Sequence, residues 1–62
     1  MRTRTEIAAS EARALAADRE REPALRLIAI RTLKGMGGKA LYPDLFRDLA
    51  GDPDEMVQAA AE

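Results

Sequence analysis

Apolar residues recur along this chain at spacings of three and four, the period of amphipathic helix. In "TRTEIAASEARALAADRER", Ile7, Ala8, Ala12, Leu15 and Ala16 form one stripe. Thr3 and Glu6 are spaced as a capping box that would start this helix. The stripe is mostly alanine, so the helix packs closely and buries little. The next segment, "EPALRLIAIRTLKGMG", carries Pro23 where a first helical turn tolerates it. Here Leu25, Ile28, Ala29, Leu33 and Met36 share one face, while Leu27 and Ile30 lie nearly opposite. A helix apolar on two sides is expected to be covered on both.

After a glycine cluster, "ALYPDLFRDLAGD" sets Leu41, Leu45 and Leu49 four apart with Phe46 beside them. Pro43 belongs in the first turn, which places the start of this helix near Leu41 or Tyr42. Gly51 is the expected left-handed stop. In "DPDEMVQAAAE", Asp52 reads as the cap, Pro53 as the first helical residue and Glu55 as the closing member of the box. Asp54 and Glu55 suit the positive end of that helix. The last segment is only about two and a half turns long, which reads as a truncated unit.

Two windows 31 residues apart correspond: "LRLIAIR" and "MVQAAAE" each follow an acidic residue and a proline. Leu25 matches Met56, Ile28 matches Ala59, and Ala29 matches Ala60. Periods of this size mark stacked helical repeats. Residues 22–62 resemble a HEAT-like repeat of the short bacterial type related to phycobilisome-lyase repeats. Leu25, Arg26, Ala29, Gly37, Ala40, Leu41, Pro43, Leu45 and "GDPDE" carry that resemblance. Ile28 is larger than the family's usual small residue, and Val57 and Gln58 replace its arginine. The resemblance implies an all-α fold: antiparallel helical hairpins of a HEAT-like α-solenoid, as a fragment of an array. It divides the chain into an N-terminal helix at 1–21, one helical hairpin at 22–51 and a truncated next repeat at 52–62.

Composition sharpens this picture. Sixty-two residues make at most one small domain, and the chain has neither cysteine nor histidine. Disulfides and the common soft-metal sites are therefore excluded, which leaves helix packing or contact with further protein to supply stability. The formal charge of −1 conceals a gradient: residues 1–34 carry 8 basic and 5 acidic groups (+3), and residues 35–62 carry 2 and 6 (−4). "MRTRTEIAAS" is charged where a secretory signal needs an apolar core. No apolar run approaches the roughly 20 residues that span a bilayer. A soluble, cytoplasmic protein is the expectation.

The candidate chemistry is sparse. Leu33 stands where the first glycine of a phosphate-binding G-x-x-x-x-G-K-[ST] loop belongs, and Ala40 where its hydroxyl belongs. The glycines from Gly35 to Gly38 therefore read as a turn between helices. Asp44, Asp48, Asp52, Asp54 and Glu55 have no histidine or cysteine beside them and read as solvated or capping groups. "DPDE" lacks the alternating ligands of a calcium loop. Arg2, Arg4, Arg13, Arg19 and Arg21 are interleaved with carboxylates that cancel their field. No catalytic, cofactor or metal site is expected. The candidate partner contacts are Tyr42, beside Pro43, together with Asp44 and Arg47, which face away from the leucines. The resemblance implies that the second helix of each repeat lines the concave surface. The expected function is a non-catalytic scaffold or adaptor for protein–protein contact, with a protein partner or neighbouring repeats against it and self-association through uncovered apolar faces. The alternatives are a nucleic-acid-binding HEAT-like domain and a structural segment of a larger enzyme.

Overall fold

A computed structural model describes residues 4–62, with side chains from Ala8 onward. The expected capping box at Thr3 and Glu6, Ile7 in the first stripe, and the side chains of Arg2 and Arg4 lie outside that description. Among the described residues there are five helices and no strand: α1 (Arg4–Ala17), α2 (Pro23–Gly35), α3 (Gly38–Leu41), α4 (Pro43–Ala50) and α5 (Glu55–Ala61). Pro23 and Pro43 each sit in the first turn of their helix, where the missing N–H costs nothing.

The helices close into a ring of contacts, α1 on α2, α2 on α5, α5 on α4, and α4 back on α1. The side chains of Arg26 and Lys34 define the directions. Near the start of α2, the Arg26 Nε donates to the carbonyl of Ala16 at the end of α1, 3.1 Å away, so α1 and α2 run antiparallel. Arg26 also reaches Asp52, just ahead of α5. At the far end of α2 the Lys34 ammonium donates to the carbonyls of Ala60 and Glu62, 3.0 and 2.9 Å away, at the finish of α5. Both ends of α2 thus meet the matching ends of α5, and the two helices are parallel. The cation on those last carbonyls also complements the helix dipole.

Parallel α2 and α5 repeat one burial pattern 31 residues apart. Leu25 and Met56 are exposed, Arg26 and Val57 buried, Leu27 and Gln58 half-buried, Ile28 and Ala59 exposed, and Ile30 and Ala61 buried. Ala29 is buried where its counterpart Ala60 is half-buried. The core beneath them gathers Ala12, Ala16, Ala29, Ile30, Leu33, Phe46, Leu49, Val57 and Ala61, with Leu15, Tyr42 and Leu45 packed against it. The radius of gyration, 10.8 Å, matches the ~10.6 Å expected of a folded chain of this length.

Four expectations need correction. First, α2 is not covered on both sides. Its buried arc is Arg26, Ala29, Ile30 and Leu33, while Leu25 and Ile28 remain 40% and 58% exposed. An arginine at the centre of that arc disguises its direction, because Arg26 scores as polar in any pattern. Second, the leucines of the third segment do not share one environment: Leu49 is buried, Leu45 half-buried and Leu41 63% exposed. The reason is a break. Tyr42 adopts φ −130° and ψ 63°, which separates α3 from α4 and turns Leu41 outward. Residues before proline are biased away from helical angles, so Pro43 imposes that break. Phe46 is buried, as its place beside the leucines suggests.

Third, Gly51 is not left-handed; it has φ −102° and closes α4 by donating to Asp48, with Asp52 N–H donating to Leu49. The left-handed glycine is Gly37, at φ 75° between α2 and α3. Gly38 serves a different need, since a Cβ there would lie 2.6 Å from the carbonyl oxygen of Leu33. The glycine cluster is a turn whose last two members, Gly37 and Gly38, are required for different reasons. Fourth, the cap of α5 is Asp54, not Asp52. The Asp54 carboxylate accepts from the amides of Met56 and Val57 at 2.8 and 3.0 Å, and Glu55 begins the helix. Asp52 is one short step earlier and is engaged elsewhere.

Candidate functional site

The only two charged side chains in the core of the described residues are Arg26 and Asp52, 3% and 2% exposed. The guanidinium meets the carboxylate as a fork, Nη1 to Oδ1 at 3.1 Å and Nη2 to Oδ2 at 2.5 Å. Its third nitrogen holds the Ala16 carbonyl. The carboxylate accepts further from the Asp54 amide at 2.9 Å, and the Arg19 Nε stands 3.8 Å off at the rim. The Gln58 side-chain amide donates to the Asp52 carbonyl. Among the described residues, no buried side-chain nitrogen or oxygen lacks a partner. One arginine therefore ties together the end of α1, the start of α2 and the approach to α5.

The Arg26 hydrogen bonds hold the Asp52 carboxyl below its ordinary value of 3.8. Burial opposes them, and the Asp54 amide and the charges of Arg26 and Arg19 add to them. A carboxylate with both oxygens engaged and its proton affinity depressed is poorly placed to take a proton from a substrate. Its chemistry is that of a clamp.

That depression carries a pH dependence. An unfolded aspartate titrates near ~3.9, and the folded one lower. Between the two values the unfolded chain binds more protons, so stability rises with pH across that window. Asp52 should contribute its full stabilisation above about pH 4–5 and lose it as the pH falls through the folded value. Urea titrations at a series of pH values check this. In Asp52→Asn the extra acid-side loss should be absent, and an unchanged acid profile would contradict the assignment.

The second feature is a cleft of about 420 Å³ between α1 and α4. Ala14, Ala17 and Leu45 line it with apolar surface, and Ser10, Arg13, Asp44 and Asp48 add polar groups. A smaller neighbouring cleft of about 120 Å³ shares Ala17, Leu45 and Asp48 and reaches Arg19, Arg26 and Asp52. The two clefts share a wall, and the smaller one borders the clamp. The Arg13 guanidinium sits 5.3 Å from the centre of the Tyr42 ring, within cation–π range.

The three residues singled out from sequence fall in different places here. Asp44 lines the cleft, and Tyr42 adjoins it through Arg13 while lying half-buried against the core. Arg47 is not part of the lining; it is 80% exposed and pairs with Asp44 at 3.9 Å. Such an exposed pair contributes about 0–1 kcal/mol. Arg19 and Arg21 are paired with Asp52 and Asp18, which leaves no free basic stripe made of them. Sequence reasoning missed the clamp, reading Asp52 as a cap. Its only signal was that Arg26 and "GDPDE" both lie on the family-like pattern, which assigned them no role.

Among the described residues, no group of three carboxylates converges as a metal would require, and no helix is long and apolar enough to cross a membrane. No family model matches the sequence, and neither a curated protein nor a solved structure shows significant similarity to it.

Proposed function

We propose that this chain is a non-catalytic HEAT-like repeat segment that serves protein–protein contact as a scaffold or adaptor. The observation that carries this reading is the parallel pair α2 and α5, with its burial pattern repeated 31 residues apart. Two parallel helices that occupy equivalent positions in a layer are the building geometry of an α-solenoid. In such a stack the core is held by a few positions, here closed by Arg26 and Asp52, and the remaining surface varies freely.

The contact surface in this reading is the groove between α1 and α4, with Asp44 on its α4 side, Tyr42 adjoining it through Arg13, and Arg47 beside Asp44 outside the lining. Affinity capture with the intact chain as bait tests it. A protein retained by the wild-type chain and lost with Asp44→Lys combined with Tyr42→Ala supports the reading. Equal capture by both would remove the groove from it. No observation favours the nucleic-acid or enzyme-segment alternatives.

A further inference from the structure

Three of the four exposed large apolar side chains among the described residues, Leu25, Ile28 and Met56, stand on α2 and α5. The two helices are parallel and share one burial pattern, so these residues face outward from the same layer. On α2 the exposed line runs Leu25, Ile28, Arg31; at the equivalent register on α5 it runs Met56, Ala59, Glu62. The two lines are complementary. Ile28 is bulky where Ala59 is small, and Arg31 is basic where Glu62 is acidic.

Within one chain these lines lie side by side and both point out, so neither can satisfy the other. A two-fold axis running parallel to the helices resolves this. It lays the layer on a second layer with α2 over the partner copy's α5, still parallel and in the same register. Ile28 then meets the gap left by Ala59 and Arg31 meets Glu62, and the symmetry makes each contact twice. The gradient from +3 in residues 1–34 to −4 in residues 35–62 has the same sense as the Arg31–Glu62 pairing, because α2 belongs to the basic part and α5 to the acidic part. We propose that a second copy of this chain docks on the outer face of the α2/α5 layer as a symmetric dimer. The dimer requires only the observed helix pair and does not depend on the scaffold role.

Sedimentation equilibrium of the full chain over a wide concentration range tests this. The wild-type chain is expected to dimerise, and Ile28→Glu to raise the dimer Kd by about tenfold or more. Ile28 is solvent-open within the monomer, and an unchanged helical circular dichroism spectrum at low concentration confirms that the variant folds. A second set removes any remaining doubt about folding: Arg31→Glu and Glu62→Arg should each weaken the dimer, and the two together should restore it. Lys34 holds only main-chain oxygens at Glu62, so that exchange leaves the end of α5 in place. A chain that stays monomeric throughout overturns the proposal and leaves the face to a different protein. So does a dimer indifferent to Ile28→Glu, or a double exchange no better than either single one.

Discussion

Arg26→Ala is expected to cost about 3–5 kcal/mol of folding free energy, the range seen when one member of a buried ion pair is removed. A 62-residue domain has about 3–9 kcal/mol in all, so this variant should lose from about a third to all of its stability at 25 °C. The size of the effect comes from what is left behind. Asp52 would stay 2% exposed with only the Asp54 amide and a distant Arg19 for partners. The Ala16 carbonyl at the end of α1 would lose its donor as well. Urea denaturation followed by circular dichroism gives the number. A loss under about 1 kcal/mol, the scale of an exposed pair, would mean that the carboxylate escapes to water and the clamp is dispensable.

Two companion variants separate charge from geometry. Arg26→Lys keeps the charge but cannot make the forked contact and hold Ala16 at once, so it should recover only part of the loss. Arg26→Met with Asp52→Leu removes both charges together, and such replacements are often neutral or stabilising. If that pair folds well, the ion pair selects where α5 docks more than it supplies net stability. In Arg26→Ala the acid transition should also move to higher pH, because the depression of the Asp52 carboxyl depends first on the Arg26 hydrogen bonds.

The clamp also explains what could be read in the sequence and what could not. Helices were legible because their signals are local: Pro23 and Pro43 at first turns, Phe46 beside the leucines, and a glycine turn between the second and third segments. The rotation of α2 was not, because a partner 26 residues away makes Arg26 a core residue. The true buried arc is centred on a residue that pattern reasoning counts as solvent-facing. The same remote bond shifted the α5 cap. "DPD" offers two aspartates two residues apart, local rules favour the first, and Arg26 removes the first from the competition. Asp44 reached the groove while Arg47 did not, a distinction that depends on where α1 crosses α4. No spacing within residues 43–50 encodes that crossing.

Two isoleucines on one helix decide the rotation of α2 by experiment. Ile30 is fully buried and Ile28 is 58% exposed, although they are two positions apart and identical in chemistry. Ile30→Ala should cost about 2–5 kcal/mol, the transfer of the lost methyl groups plus the cavity they leave. Four of the eight other members of its core cluster are alanines (Ala12, Ala16, Ala29 and Ala61), which have no side-chain rotamer with which to fill the space. Ile28→Ala should change monomer stability by no more than about 0.5 kcal/mol, measured at concentrations too low for two chains to meet. Equal costs would mean that both faces of α2 are covered, as the bare apolar pattern suggested. The Ile28 variant alone being costly would place the core on the Leu25 side and break the alignment of Arg26 with Asp52, since a helix turned to bury Ile28 carries its arginine toward water.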